Sequence, residues 1–205
     1  MARVDVKKPL FVRIMGNMND YVVLLRGVNV GGKNKVPMAL LRQYLDALGF
    51  TGVSTYIASG NVLLSTDKLP AEIQTMIENA LTAHFKLDDG PIKVLAVSRD
   101  RLQAVVDGRP KGFGDRPDTY HSDAIFLIGL KADDAMPLFD PREGVDKVWP
   151  GVEVVYSQRL SAERTKSRLS KVIATPAYKS MTIRSWSTTV KLLELLKAKH
   201  TDEAV

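Results

Sequence analysis

Residues 21–37 read Tyr-Val-Val-Leu-Leu-Arg-Gly-Val-Asn-Val-Gly-Gly-Lys-Asn-Lys-Val-Pro. The first eight form a β-rich apolar run closed by glycine, which predicts a buried strand over Tyr21–Val28. A glycine- and lysine-rich loop follows, and Pro37 suits the first turn of a helix. That helix extends to about Leu48, with Leu40, Leu41, Tyr44, Leu45 and Leu48 on one face and Gly49 as its stop. Further along, Val53–Ala58 and Asn61–Thr66 read as two short strands joined at Ser59-Gly60. A second helix follows Pro70, with Ile73, Met76, Ile77, Leu81 and Phe85 inward, and Gly90-Pro91 turns into a fourth strand over Ile92–Val97. The order βαββαβ is that of the ferredoxin-like (split βαβ) unit.

Beyond residue 97 the pattern is less regular. A short helix over Arg99–Val106 is capped by Ser98, and Asp107–Asp118 is loop. Strands are expected at Ala124–Leu130, Val152–Tyr156 and Met181–Trp186. Helices are expected at Asp133–Phe139, Ser167–Ala174 and Thr188–Lys199, the last capped by Ser187 or Thr188. The fold class is therefore α+β: a ferredoxin-like βαββαβ N-terminal subdomain (19–97), a connecting helix and loop (98–120), and a second, smaller α+β subdomain (121–205). No sequence repeat between the halves is visible.

Composition narrows the chemistry. The chain has 205 residues, 45% hydrophobic and 25% charged, the balance of a soluble globular protein. It has no cysteine, which removes disulfides, thiolate nucleophiles and thiolate-bound metal. The three histidines form no HxH or HExxH pair, so neither metal nor cofactor is expected. No apolar run reaches the ~20 residues of a membrane span. The formal charge is +6. Half of that excess lies in residues 1–18, where Arg3, Lys7, Lys8 and Arg13 face only Asp5. This segment lacks the apolar run and cleavage site of a secretory signal and reads as an N-terminal extension, with an added edge strand the alternative. A cytoplasmic location is the expectation, and the sequence carries no signal of oligomeric state.

Gly27–Asn34 nearly matches the phosphate loop G-x-x-x-x-G-K-[ST], but Asn34 replaces the magnesium-holding hydroxyl and Pro37 starts the helix late. A softer reading remains, in which glycine amides, a helix start, Lys33 and Lys35 favour an anion. Against it, the glycines only shape a tight connection and the lysines are solvated. In a ferredoxin-like unit the first connection and the Ser59-Gly60 turn lie at the same end of the sheet. The candidate ligand-binding set is therefore Arg26, Asn29, Gly31, Gly32, Lys33, Tyr56, Ser59 and Asn61. A second basic cluster over Arg159–Lys171 reads as a solvated helix entrance. Arg184 reads as a salt-bridge or carbonyl-binding anchor, and Trp186 as core. No G-x-S-x-G elbow, Ser–His–Asp chain or ribonucleoprotein-type aromatic motif occurs.

Three stretches carry a family resemblance: Tyr21–Lys35, Thr55-Tyr-Ile-Ala-Ser-Gly-Asn61, and Thr182-Ile-Arg-Ser-Trp-Ser-Thr188. Over residues 19–199 the chain resembles the domain of unknown function 1697 family, with Ser185 and Ser187 where the family usually has asparagines. The resemblance implies a two-part α+β fold with ferredoxin-like subdomains, in largely bacterial cytosolic proteins, with the domain starting near Met18. It implies no activity. The residues favour binding of a phosphorylated or otherwise anionic ligand, nucleic acid included. The alternatives are a metal-independent enzyme such as a transferase, with Tyr56 or Lys33 moving the proton, and a protein-interaction module.

Overall fold

The computed structural model describes residues 18–88 and 90–199; the predicted extension over residues 1–18 falls outside them except for Met18. The first half runs β1 (Asn19–Leu25), α1 (Met38–Ala47), β2 (Thr51–Tyr56), β3 (Asn61–Thr66), α2 (Pro70–His84) and β4 (Val94–Ser98). Its antiparallel sheet has the order β2-β3-β1-β4, which is ferredoxin-like. After α3 (Arg99–Asp107), the second half contributes β5 (Tyr120–Leu127), a single turn α4 (Ala132–Ala135), β6 (Asp146–Gly151), β7 (Val154–Leu160), three 3-10 turns and β8 (Met181–Ser185). It ends in α5 (Trp186–Ala198). This sheet has the order β6-β7-β5-β8, the same arrangement four strands later.

The match extends to backbone bonds. Leu25 N–H donates to Gly60 O at 2.8 Å, and Leu127 N–H to Glu153 O at 3.0 Å. Arg26 N–H donates to Lys93 O and Ile128 N–H to Ser180 O, in the same positions of the two sheets. Gly27 and Gly129, two residues past their strands, share φ values of 69° and 68°. The molecule is thus a structural repeat that the sequence conceals.

Alternation along β1 explains its continuous apolar run. Tyr21, Val23 and Leu25 enter a core with α1 and α2, whereas Val22 and Leu24 enter a second core between the sheets. On β5, Ala124 and Phe126 join that central core, while Ile125 and Leu127 face a third one. The central core also takes Leu102 and Val105 from α3 and Leu192, Leu193 and Leu196 from α5, so these helices are held between the sheets. Each fully buried side chain of this kind stabilises the fold by about 1.5–3 kcal/mol. Among the described residues no helix is long and apolar enough to cross a membrane.

Several local expectations need correction. Pro37 stands just before α1 rather than inside it, and Leu40 and Leu48 are each 37% exposed because the helix buries a narrower stripe through Leu41 and Leu45. Strand β6 was not expected: Asp-Lys-Val-Trp-Pro-Gly has little β pattern, and Pro150 is tolerated because β6 is an edge strand. The expected helix at Ser167–Ala174 is a 3-10 turn over Leu169–Ala174. Helix α5 starts at Trp186, and its cap is Ser185, whose hydroxyl accepts from Thr188 N–H; Ser98 caps α3 in the same way through Arg101 N–H.

Candidate functional site: a cationic cleft between the halves

The loop after β1 is a miniature hairpin. Asn29 N–H donates to Asn34 O, Lys33 N–H to Val30 O, and Val30 bridges Lys33. Gly31 and Gly32 form its tip with φ of 58° and 79°, the positive pair that a tight mirror-image turn requires. The phosphate-loop likeness does not survive this geometry. Asn34 N–H donates to the Asp88 carboxylate, and the Asn34 side chain donates to Gly27 O and accepts from Asp88 N–H. The residue at the magnesium-ligand position therefore clips two loops together.

The two segments brought together by topology do meet. The Asn29 side chain donates to Val36 O and to Ala58 O and accepts from Val36 N–H, tying the hairpin loop to the β2–β3 turn. Asn61 is fully buried and donates to Tyr56 O and Ser59 Oγ. Both asparagines hold loops in place. Tyr56 packs toward the central core, and neither Gly31 nor Gly32 lines the cleft.

Arg26, Lys33 and Ser59 do line it. With Tyr178, Thr182 and Arg184 they enclose about 360 Å³ between the C-terminal end of β1 and strand β8. Arg26 Nε donates to Tyr178 O and Met181 O, and its guanidinium lies 5.0 Å from the Tyr178 ring centroid. Lys93 Nζ meets Ser180 Oγ at 3.1 Å beside the same strands. Sequence reasoning missed Tyr178, Thr182 and Lys93. Tyr178 belongs to a turn with no helical or strand period before β8. Thr182 lies inside β8, where the sequence predicts a strand but nothing in it relates that strand to the first half, and Lys93 enters only through its pairing with Arg26.

Arg184 closes the floor. Its Nη2 donates to Leu25 O (3.0 Å), Ser59 O (3.2 Å) and Gly60 O (3.1 Å), and Nη1 to Thr182 Oγ1 and Ile183 O. Its Nε donates to Asn61 Oδ1. The anchor reading was right in its carbonyl-binding form. Burial pushes the Arg184 pKa down to about 10, so the side chain is still a cation at neutral pH. The second basic cluster is a different matter: Lys166 pairs with Glu163, Arg168 and Lys171 with Asp140, and Arg159 with Asp123.

The repeat supplies an internal comparison. At the equivalent end of the second sheet lies a larger cleft, about 640 Å³, lined mainly by apolar residues such as Leu95, Val97, Phe126 and Leu130. Val97, opposite Val22, occupies the position that Arg184 holds opposite Ala124. A buried arginine thus stands on one side of the repeat and a valine on the other.

The model of the family described as protein of unknown function (DUF1697) matches residues 18–156. The chain belongs to that family. The structure of conserved bacterial protein SP0830 from Streptococcus pneumoniae is similar to this DUF1697 chain, with a TM-score of 0.70 and 25% sequence identity over 87% of this chain and 99% of that one. No curated protein matches. The DUF1697 match ends before β8, so Arg184 and the Thr182–Thr188 stretch lie outside it.

Proposed function

We propose that this DUF1697 protein binds a small anionic ligand, phosphorylated or carboxylated, in the cleft between its halves. The observation that carries the reading is the Arg184 cation at the cleft floor, whose hydrogen-bond partners are all neutral oxygens. A guanidinium compensated only by dipoles leaves a positive potential, which a low-dielectric cleft focuses on an incoming anion. Arg26 and Lys33 add charge at the walls, and Ser59 and Thr182 add hydroxyls. At about 360 Å³ the space is in the range of small-molecule sites.

The test is calorimetric titration of the dialysed protein with inorganic phosphate and a panel of nucleoside and sugar monophosphates. Arg26→Gln and Lys33→Ala should each weaken binding, with a charge-assisted contact typically worth ~1.5–3 kcal/mol. A modest salt dependence fits a small ligand, whereas a steep logarithmic fall would point to nucleic acid. Equal affinity in both variants and the parent chain would remove the cleft from consideration.

A further inference from the structure

Both crossovers of the second half are shorter in helix than their counterparts, and at the second of them, between β7 and β8, a cavity opens. In the first half, α2 seals the outer face of its sheet with Ile73, Ile77 and Leu81. The equivalent connection between β7 and β8 is three 3-10 turns, at Ser161–Lys166, Leu169–Ala174 and Pro176–Ser180. Only Leu169 and Val172 of these turns are buried. Beside the small core these turns form with the sheet lies a cavity of about 330 Å³.

Its lining is chemically mixed in a definite way. Asp123 and Ser157 sit directly opposite each other on β5 and β7. The Asp123 side chain is 13% exposed. His121 Nε2 lies 3.1 Å from Asp123 Oδ1, but Arg159 Nη1 stays 3.6 Å from Oδ2, too far for a hydrogen bond. Desolvation therefore dominates and raises the Asp123 pKa despite the lowering influence of His121 and Arg159. Arg164, from the first turn, reaches the same cavity and has no ion-pair partner among the described residues. Apart from Ser167 and Ser170 the remaining wall is apolar, with Ile183 and the 54% exposed Ile173.

We propose that this cavity is a second site, sharing only Ile183 with the cationic cleft, which takes a free α-amino acid with a branched apolar side chain. The ligand ammonium faces Asp123, its carboxylate faces Arg159 and Arg164, and its side chain rests on Ile173 and Ile183. Each lining class then meets its complement, and the under-solvated carboxylate gains a second cation.

The experiment measures thermal stability and calorimetric binding of the dialysed full chain with L-valine, L-leucine and L-isoleucine. At least one should raise the melting temperature, because a ligand bound only by the folded state stabilises it. The N-acetyl and methyl ester derivatives, each lacking one charge, should not. Arg164→Gln, at an exposed position that leaves the fold intact, should weaken binding roughly tenfold or more. Lys33→Ala, in the cationic cleft, should leave amino-acid binding unchanged, so this proposal and the anion-binding proposal can fail separately. No effect of any of the three amino acids overturns the assignment. So does equal binding of the acetylated form, unchanged affinity in Arg164→Gln, or loss of binding in Lys33→Ala.

Discussion

Arg184 donates from Nε to the side-chain oxygen of Asn61, a residue 123 positions earlier on the other half of the molecule. The Asn61 amide nitrogen is already committed to Tyr56 O and Ser59 Oγ, so its oxygen is turned toward the guanidinium by its own donors. Arg184 Nη2 meets the carbonyls at the end of β1 and in the β2–β3 turn, while Nη1 stays with Thr182 and Ile183 of its own strand. One side chain thereby fixes strand β8 of the second sheet against the loops of the first.

Removing that side chain should be severe. Arg184→Ala leaves Asn61 Oδ1 and the Leu25 and Gly60 carbonyls buried with a lost donor, and each buried acceptor left unsatisfied typically costs ~1–3 kcal/mol. For a chain of this size each kcal/mol moves the melting temperature by roughly 2–4 °C. Arg184→Lys should rescue little, because one ammonium cannot present the planar fork that meets acceptors on both halves. Thermal melts of the two variants check this, and near-parental stability in either would show that the halves are held by the apolar core alone.

Two glycines in neighbouring turns should behave differently. A Cβ on Gly60 would stand 2.4 Å from Val28 Cγ2 and 2.9 Å from Leu25 Cβ, at a φ of +78°. A Cβ on Gly31 would meet nothing within 4 Å, at a φ of +58°. Gly31→Ala should therefore cost about 1 kcal/mol, the backbone penalty alone. Gly60→Ala should cost that plus overpacking, typically ~1–3 kcal/mol more. Denaturant unfolding of the pair checks the order.

The first half was legible because its apolar runs are strong and its breaks are glycines and prolines. Asn61–Thr66 matches β3 residue for residue, and Ser98 caps α3 as its position before Arg99 suggested. The second half was harder: β6 carries Pro150 and Gly151, and short 3-10 turns leave no period to detect. The repeat was invisible because it resides in backbone bonds, such as those from Arg26 to Lys93 and from Ile128 to Ser180, which place no demand on side-chain identity. At the site, strand order was enough to bring Asn29 to Ala58. The same reasoning could not bring Tyr178 to Arg26, because no local signal relates positions so far apart on different sheets.

Tyr156 links β7 to α3 through a 2.7 Å hydrogen bond to Val105 O, deep in the central core beside Phe113 and Trp186. Burial raises its pKa, as expected for a phenol shielded from water. Tyr156→Phe keeps the ring contacts and orphans the Val105 carbonyl. A loss of ~1–2 kcal/mol in denaturant melts is expected, from the hydrogen bond and the unsatisfied acceptor. An unchanged midpoint would mean that α3 is placed by packing without this bond.

Two aspartates should titrate on opposite sides of the ordinary value of 3.8. At Asp123 burial outweighs His121 and Arg159 and raises the pKa, whereas at the exposed Asp140 the hydrogen bond from Lys171, with Arg168 nearby, lowers it. The stability consequences have opposite signs. The protonated Asp123 favours the folded state, so its contribution is fully present below about pH 3.8 and is lost as pH rises through the higher folded pKa. Asp140 contributes above its ordinary value and loses that contribution as pH falls through the lower folded pKa, by a small amount because water and salt screen the pair. Carboxyl-carbon NMR titration should show Asp140 protonating last on acidification and Asp123 first of the two. Lys171→Ala should return Asp140 toward 3.8 without moving Asp123, and His121→Gln should raise Asp123 further. A common midpoint for both carboxyls would contradict the burial argument at Asp123 and the Lys171 bond at Asp140 together.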